Sequence, residues 1–237
     1  MTSSRLDGRV IAVAGVGGGL GPLVAERLAA EGAIVAGTDR SAQLLEEVGE
    51  GIDSDRWDGR AVDLLDEDAA RAWCAALLDR FGRVDGLLHL VGGWRGGEPL
   101  HEEPLDDWAF LHDLLIRTLQ HTTRAFHGAL SASEHGRFVL ISAKQAQRPS
   151  NTNAAYAAAK AAAEAWTLAY ADGFRDGPAT ANVIVVDAIL TPRMREENPE
   201  GSYGTFTPAE HVAEAIAFLC SDAAAEMNGQ RLALTMG

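Results

Sequence analysis

The chain has only two cysteines in 237 residues. Cys74 and Cys220 lie far apart and form no CxxC pair. With nothing to build a disulfide framework, the simplest reading is a reduced, cytoplasmic protein in which both thiols are small core residues. Basic residues are also scarce. Lys and Arg total 20 against 34 Asp and Glu, a formal net charge of −14, which argues against general binding of a polyanionic nucleic acid. No apolar run reaches the length needed to span a bilayer. The opening MTSSRLDGRV lacks the apolar stretch of a secretory signal. There is no GxSxG elbow, no GxxxxGK[ST] loop and no HExxH, and the seven histidines show no metal-ligand spacing. No metal, nucleic acid or membrane is therefore expected as a partner.

Alternating β and α patterns run the length of the chain. Short apolar runs rich in Val and Ile at 9–15, 33–39, 60–64, 84–93, 136–142, 180–190 and 229–235 read as buried strands. Between them 20–32, 66–82, 104–130, 152–175 and 207–222 read as helices, several with glycine stops. This pattern predicts an α/β fold: a Rossmann-type, doubly wound parallel sheet of about seven strands in a three-layer αβα arrangement. No linker or low-complexity tract interrupts it, so residues 1–237 read as a single dinucleotide-binding and catalytic domain. The exception is TPRMREENPEGSYGTFT at 191–207, polar and without clear period, which reads as a substrate lid.

The first strand runs into AGVGGGLG at 14–21, with glycines at 15, 19 and 21 before a helix. Glycine allows a sharp turn and close approach of a pyrophosphate, and the helix N-terminus offers free N–H groups. Asp39 closes the second strand, 18 residues beyond Gly21. A carboxylate there can accept from both hydroxyls of an adenosine ribose and would repel a 2′-phosphate, so NAD is expected over NADP, although Arg40 could soften that choice. Asp63, at the end of the third strand, could meet the adenine amino group or simply close a turn.

The alanine-rich stretch NTNAAYAAAKAAAEAWTLAY places Tyr156 and Lys160 four residues apart, on one face of a helix. A phenol with an ordinary pKa of about 10 is a poor acid or base at neutral pH; a cation within about 4–6 Å favours the phenolate. Lowering the phenol by ~2 units needs only about 2.7 kcal/mol. Ser142 ends the fifth strand, at the carboxyl edge where ligands of parallel sheets gather.

AGVGGGLG, Asp39, VDLLD, LHLVGG, the set Ser142–Tyr156–Lys160, ILT at 189–191 and the ending TPAEHVAEAIAFLCSDAAAEMNGQRL together resemble the short-chain dehydrogenase/reductase family over nearly the full length. The resemblance implies hydride transfer between a nicotinamide cofactor and a carbonyl/alcohol carbon, with a small-molecule substrate and a homodimer or homotetramer. It implies Tyr156 as general acid/base, Lys160 as the group that lowers its pKa and holds the nicotinamide ribose, and Ser142 as the residue orienting the substrate oxygen. Cofactor contacts would fall on Gly15, Gly19, Leu20, Gly21, Asp39, Asp63, Leu64, Val91, Gly92, Gly93, Tyr156, Lys160, Ile189 and Thr191.

The chain departs from the family pattern in three places. His89-Leu90-Val91-Gly92 stands for the usual Asn-Asn-Ala-Gly, and Val186-Asp187 for Pro-Gly. Counted from Trp108, Leu115 falls where an asparagine ordinarily anchors a proton-relay water. LVGGWRGG at 90–97 is similar to the GGWxGG stretch of dihydropteridine reductases, a branch of the same family that tends to lack the serine. The other reading open here is a catalytically idle NAD-binding module. Trp94, Gln145, Arg148 and the 191–207 loop would shape the substrate site.

Overall fold

A computed structural model describes residues 4–235. Its strands are β1 (Val10–Ala14), β2 (Ile34–Asp39), β3 (Trp57–Ala61), β4 (Gly86–His89), β5 (Arg137–Ala143), β6 (Thr180–Val186), β7 (Ile189–Leu190), β8 (Thr207–Pro208) and β9 (Arg231–Ala233). Its helices are α1 (Gly21–Ala30), α2 (Ala42–Gly49), α3 (Glu67–Phe81), α4 (Leu105–His112), α5 (Thr118–Ala132), α6 (Ala154–Asp172), α7 (Pro192–Glu197) and α8 (Ala209–Leu219). Seven strands form one parallel sheet in the order β3-β2-β1-β4-β5-β6-β9. The order reverses beside β1, and the crevice this opens at the carboxyl ends is where such sheets bind ligands.

Both faces of the sheet are covered, which is why its strands read as unbroken apolar runs. Ile11, Val13, Val139 and Ile141 pack on one face with α1 and α8. Ala12, Ala14, Phe138 and Leu140 pack on the other with α3, α5 and α6. Cys74 and Cys220 are free and buried, and burial pushes their thiols up to about 11 and about 12, so both stay protonated.

Several boundaries differ from the sequence reading. The third strand lies at Trp57–Ala61 rather than 60–64. The Trp57 ring fills the space left beside Gly37, Gly49 and Gly59, and this fixes where the strand begins. The fourth strand ends at His89 rather than 93: the Leu90 N–H still bonds to Ala14 O, and the chain then crosses over Gly15. The sixth ends at Val186, and the last spans only Arg231–Ala233. Helix α2, capped by Ser41, was not anticipated.

The 104–130 stretch is not one regular helix. A π-helical turn, Asp113–Arg117, joins α4 to α5. The 191–207 segment is more ordered than its sequence suggests. Thr191 caps α7, and Tyr203 Oη donates to Met194 O and Asn198 O. Pairing of β7 with β8 brings its two ends together.

Candidate active site

A cavity of about 480 Å³ opens at the carboxyl edge of β1, β2 and β4. Its floor is the glycine turn. Gly15 has φ +80°, and a Cβ there would lie 2.8 Å from the Val91 backbone N. At Gly21 a Cβ would meet Val16 O at 1.9 Å. No side chain caps the N-terminus of α1 and no acid sits in its first turn. By contrast, Ser41 caps α2 and Asp66 caps α3. Gly18, Gly19, Leu20 and Gly21 line the cavity, so the positive end of α1 faces it, where a pyrophosphate would complement it. Thr191 reaches back over this turn, its Cγ2 being 3.3 Å from where a Gly19 Cβ would lie.

Gly15, Gly19, Leu20, Gly21, Asp39, Asp63, Leu64, Val91 and Gly92 all line the cavity. Asp39 Oδ1 accepts from the Ser41 N–H, while Oδ2 lies 2.9 Å from where a Gly17 Cβ would sit. Asp63 closes a turn by accepting from the Leu65 N–H. Gly93 lies beside Leu114 and Ile189 packs against the core; these two, like Tyr156, Lys160 and Thr191, are not among the residues lining the cavity. The sequence reading missed Gly18, Val62, Leu65, Leu90, Phe110, Asp113, Leu114 and Thr118, which also line it. Leu90 comes from the crossover after β4, and Phe110, Asp113, Leu114 and Thr118 from the end of α4, the π-helical turn and the start of α5, which no local sequence pattern marks.

Tyr156 and Lys160 lie one turn apart on α6, with the Lys160 nitrogen 5.9 Å from the phenol ring centroid. Lys160 is buried and donates to Ile141 O on β5 at 2.9 Å. Burial pushes its ammonium down to about 8, and the nearby Glu164 charge opposes that fall. The Tyr156 ring packs with Leu111, Leu115 and Ala159, and burial pushes the phenol up to about 12. At neutral pH this phenol is protonated, the form that can give a proton to a carbonyl oxygen.

Ser142 lies elsewhere. Phe138, Leu140 and Ser142 alternate onto the α6 side of β5, and Ser142 Oγ donates to Glu164 Oε1 at 2.6 Å. Glu164 is two turns beyond Tyr156, about 12 Å along the helix. Among the described residues no hydrogen bond joins Ser142 to the phenol.

Leu115 is buried in the packing around Tyr156, and the π-helical turn leaves Leu114 O accepting from Thr118 Oγ1. His89 is buried between Thr118 and Thr122, its Nε2 3.3 Å and its Nδ1 3.2 Å from their hydroxyls. Burial holds its pKa down to about 3, so the ring is neutral. Trp94 is exposed; its ring lies against Gly96 and Gly97, whose loop bonds to Thr152 O just before α6. Glu103 from the same loop accepts from the Ala155 N–H in the first turn of α6.

The family model described as Enoyl-(Acyl carrier protein) reductase matches residues 15–237. The chain belongs to the short-chain dehydrogenase/reductase family. It is 26% identical over 241 residues to a 3-oxoacyl-(acyl-carrier-protein) reductase of Vibrio cholerae, covering 98% of each. It is 28% identical over 244 residues to a D-threitol dehydrogenase of Mycolicibacterium smegmatis, covering 98% of this chain and 94% of that one. Among solved structures, a short-chain dehydrogenase/reductase of Brucella melitensis superposes with a TM-score of 0.84 at 25% identity, covering 98% of this chain and 97% of the other. The chain is thus an oxidoreductase of a family that uses nicotinamide cofactors. No described helix is long and apolar enough to cross a membrane.

Proposed function

We propose that this short-chain dehydrogenase/reductase transfers a hydride between NAD(H) and the carbonyl/alcohol carbon of a small molecule. The placement of Tyr156 and buried Lys160 one turn apart beside the end of β5 carries this reading. The glycine turn and the bare end of α1 would hold the pyrophosphate, Asp39 the adenosine ribose, and Lys160 the nicotinamide ribose. The bound nicotinamide supplies the hydride chemistry. Tyr156 gives or takes the proton at the substrate oxygen, and Lys160 stabilises the phenolate that results. Ser142, its proton committed to Glu164, we assign to bracing that carboxylate, which leaves the substrate oxygen to Tyr156. A panel of carbonyls and alcohols, followed by nicotinamide absorbance, tests the proposal; no turnover with any member counts against it.

A dihydropteridine-reductase-like activity is the second reading. It is favoured by exposed Trp94 within LVGGWRGG and by a Ser142 that does not reach the phenol. Inclusion of a quinonoid dihydropterin in the same panel separates the two. The two buried, protonated thiols support a reducing, cytoplasmic setting.

NADH is expected to bind more tightly than NADPH, because Asp39 in the cavity would repel a 2′-phosphate. Asp39→Ala should narrow the gap, as read by fluorescence titration of both cofactors; tighter NADPH binding by the parent would contradict the assignment.

Thr123, Arg124 and His127 of α5 and Trp166, Ala169 and Tyr170 of α6 border a shallow hollow on the outer face of that layer. Here we place the contact of a homodimer or homotetramer. Light scattering at micromolar concentration should give at least twice the chain mass of 25.1 kDa; a monomer would refute it.

The 191–207 segment is assigned as a lid hinged where β7 pairs with β8. Its cleavage by protease should slow when NADH and substrate are both present; equal rates with and without them would count against a closing lid.

A further inference from the structure

Glu164 is buried on the helix that carries Tyr156 and Lys160, four residues beyond the lysine. A carboxylate that leaves water needs partners, and this one has three. Ser142 Oγ donates to Oε1 at 2.6 Å and Arg231 Nε donates to Oε2 at 2.6 Å, the latter from edge strand β9. Gln147 Nε2 lies 3.2 Å from Oε2 and 3.4 Å from Oε1. The neighbouring residue of β5, Ile141, accepts from Lys160 Nζ through its carbonyl. Two successive residues of one strand thus tie to two successive turns of α6, one taking a proton donor and the other supplying one.

We propose that Glu164 is a positioning residue for the reacting pair: its braced carboxylate, one helical turn from Lys160 and beyond direct ion-pair distance, is the counter-charge to a lysine that Ile141 O holds against β5. The proposal rests on the reading of Tyr156 and Lys160 as the reacting pair. The groups around Lys160 leave Glu164 as the counter-charge. From α6 come Tyr156, protonated, and Glu164. From β4 comes His89, neutral and of no help to a cation. α4 and the π-helical turn bring Leu111 and Leu115 to the Tyr156 side of the helix. Lys144, following β5, is paired with Asp187 after β6. Arg231 stands behind Glu164 and partly offsets its charge. Burial lowers the Lys160 ammonium, and Glu164 opposes that fall, in agreement with the one-turn spacing of the two residues.

The chain supplies its own probe, because Lys144 and Lys160 are its only two lysines. Labelling the full-length protein with ¹³C,¹⁵N-lysine gives two side-chain signals, and Lys144→Arg removes one to assign the other. No substrate is needed. In Glu164→Gln the Lys160 signal should titrate lower than in the parent by about one pH unit or more. Glu164→Asp should recover most of that shift. Arg231→Gln alters a half-exposed residue on the sheet edge, and so provides a measurement even if the Glu164 variants do not fold. It should move Lys160 the opposite way, since it removes a competing cation. The alkaline limb of turnover should move with the signal in each variant. A Lys160 titration unmoved in either Glu164→Gln or Arg231→Gln would overturn the proposal. A signal that moves while the turnover limb stays fixed upholds Glu164 as the lysine's counter-charge and places the fault with Tyr156 and Lys160 as the reacting pair.

Discussion

Replacing Tyr156 by Phe should lower turnover by at least 10²–10⁴-fold, the usual contribution of a general acid/base, while leaving NADH affinity and thermal stability near those of the parent. The substitution removes only the hydroxyl. The ring keeps its packing against Leu111, Leu115 and Ala159, so no cavity forms in the core. Lys160→Ala should behave differently, because it removes both the charge near the phenol and the group assigned to the nicotinamide ribose, so turnover and cofactor affinity fall together. Ser142→Ala is the informative contrast. With its hydroxyl committed to Glu164 and not joined to the phenol, its loss should lower turnover far less than Tyr156→Phe does, the cost falling mainly on stability through the buried carboxylate left short of a donor. A loss as large as that of Tyr156→Phe would restore Ser142 to the substrate oxygen.

The second large effect is expected at Gly21. An alanine there places its methyl 1.9 Å from Val16 O, which belongs to the turn and has no flexible end to swing away. Either α1 shifts or the turn opens, and both distort the cradle assigned to the pyrophosphate. Gly21→Ala should cost about 4 kcal/mol or more, an exceptional value for one methyl group. For a chain of this size that is a Tm loss of roughly 8–16 °C, and NADH binding should be lost with it. Gly128→Ala is the control. It lies within α5 with nothing within 4 Å of the added carbon, so it should stabilise the helix by roughly 0.5–1 kcal/mol. Opposite signs for the same chemical change would locate the effect in the turn. A Gly21→Ala protein with parent Tm and parent NADH affinity would show that the turn can yield, and that it is not the cradle described.

The parts legible in the sequence were those whose chemistry is local. The glycine turn, Asp39 after its strand and the Tyr156–Lys160 spacing each need only neighbours within a turn or two. The sheet was legible because each strand is an apolar run between helices. That same feature hid Ser142. A strand covered on both faces shows no polar alternation, so FVLIS does not reveal which way its serine points. Glu164 carried one local signal, being the acid four residues after Lys160 in a run of alanines. Its partners Ser142 and Arg231 lie 22 and 67 residues away and meet it only because the sheet sets β5 beneath α6 and lets the Arg231 side chain reach in from edge strand β9. The third strand begins earlier than its apolar run suggests because Trp57 fills the space beside Gly37 of β2 and Gly49 of α2 as well as Gly59 of its own strand, a packing that the local sequence does not show. His89 could be read from sequence as a departure from the family, but not as a neutral ring held between two threonines of α5.

The central claim is that Tyr156, supported by Lys160, works on a substrate oxygen while hydride passes to or from the nicotinamide. The most direct measurement is a single turnover with NADH deuterated at the transferable position, mixed in excess enzyme with the carbonyl panel, the alcohol product being analysed for label by mass spectrometry. Label should enter the product at full stoichiometry with the parent and be lost or strongly slowed in Tyr156→Phe. Equal transfer by both proteins would contradict the assignment of Tyr156, and no transfer by the parent to any member would point instead to a cofactor-binding module without chemistry.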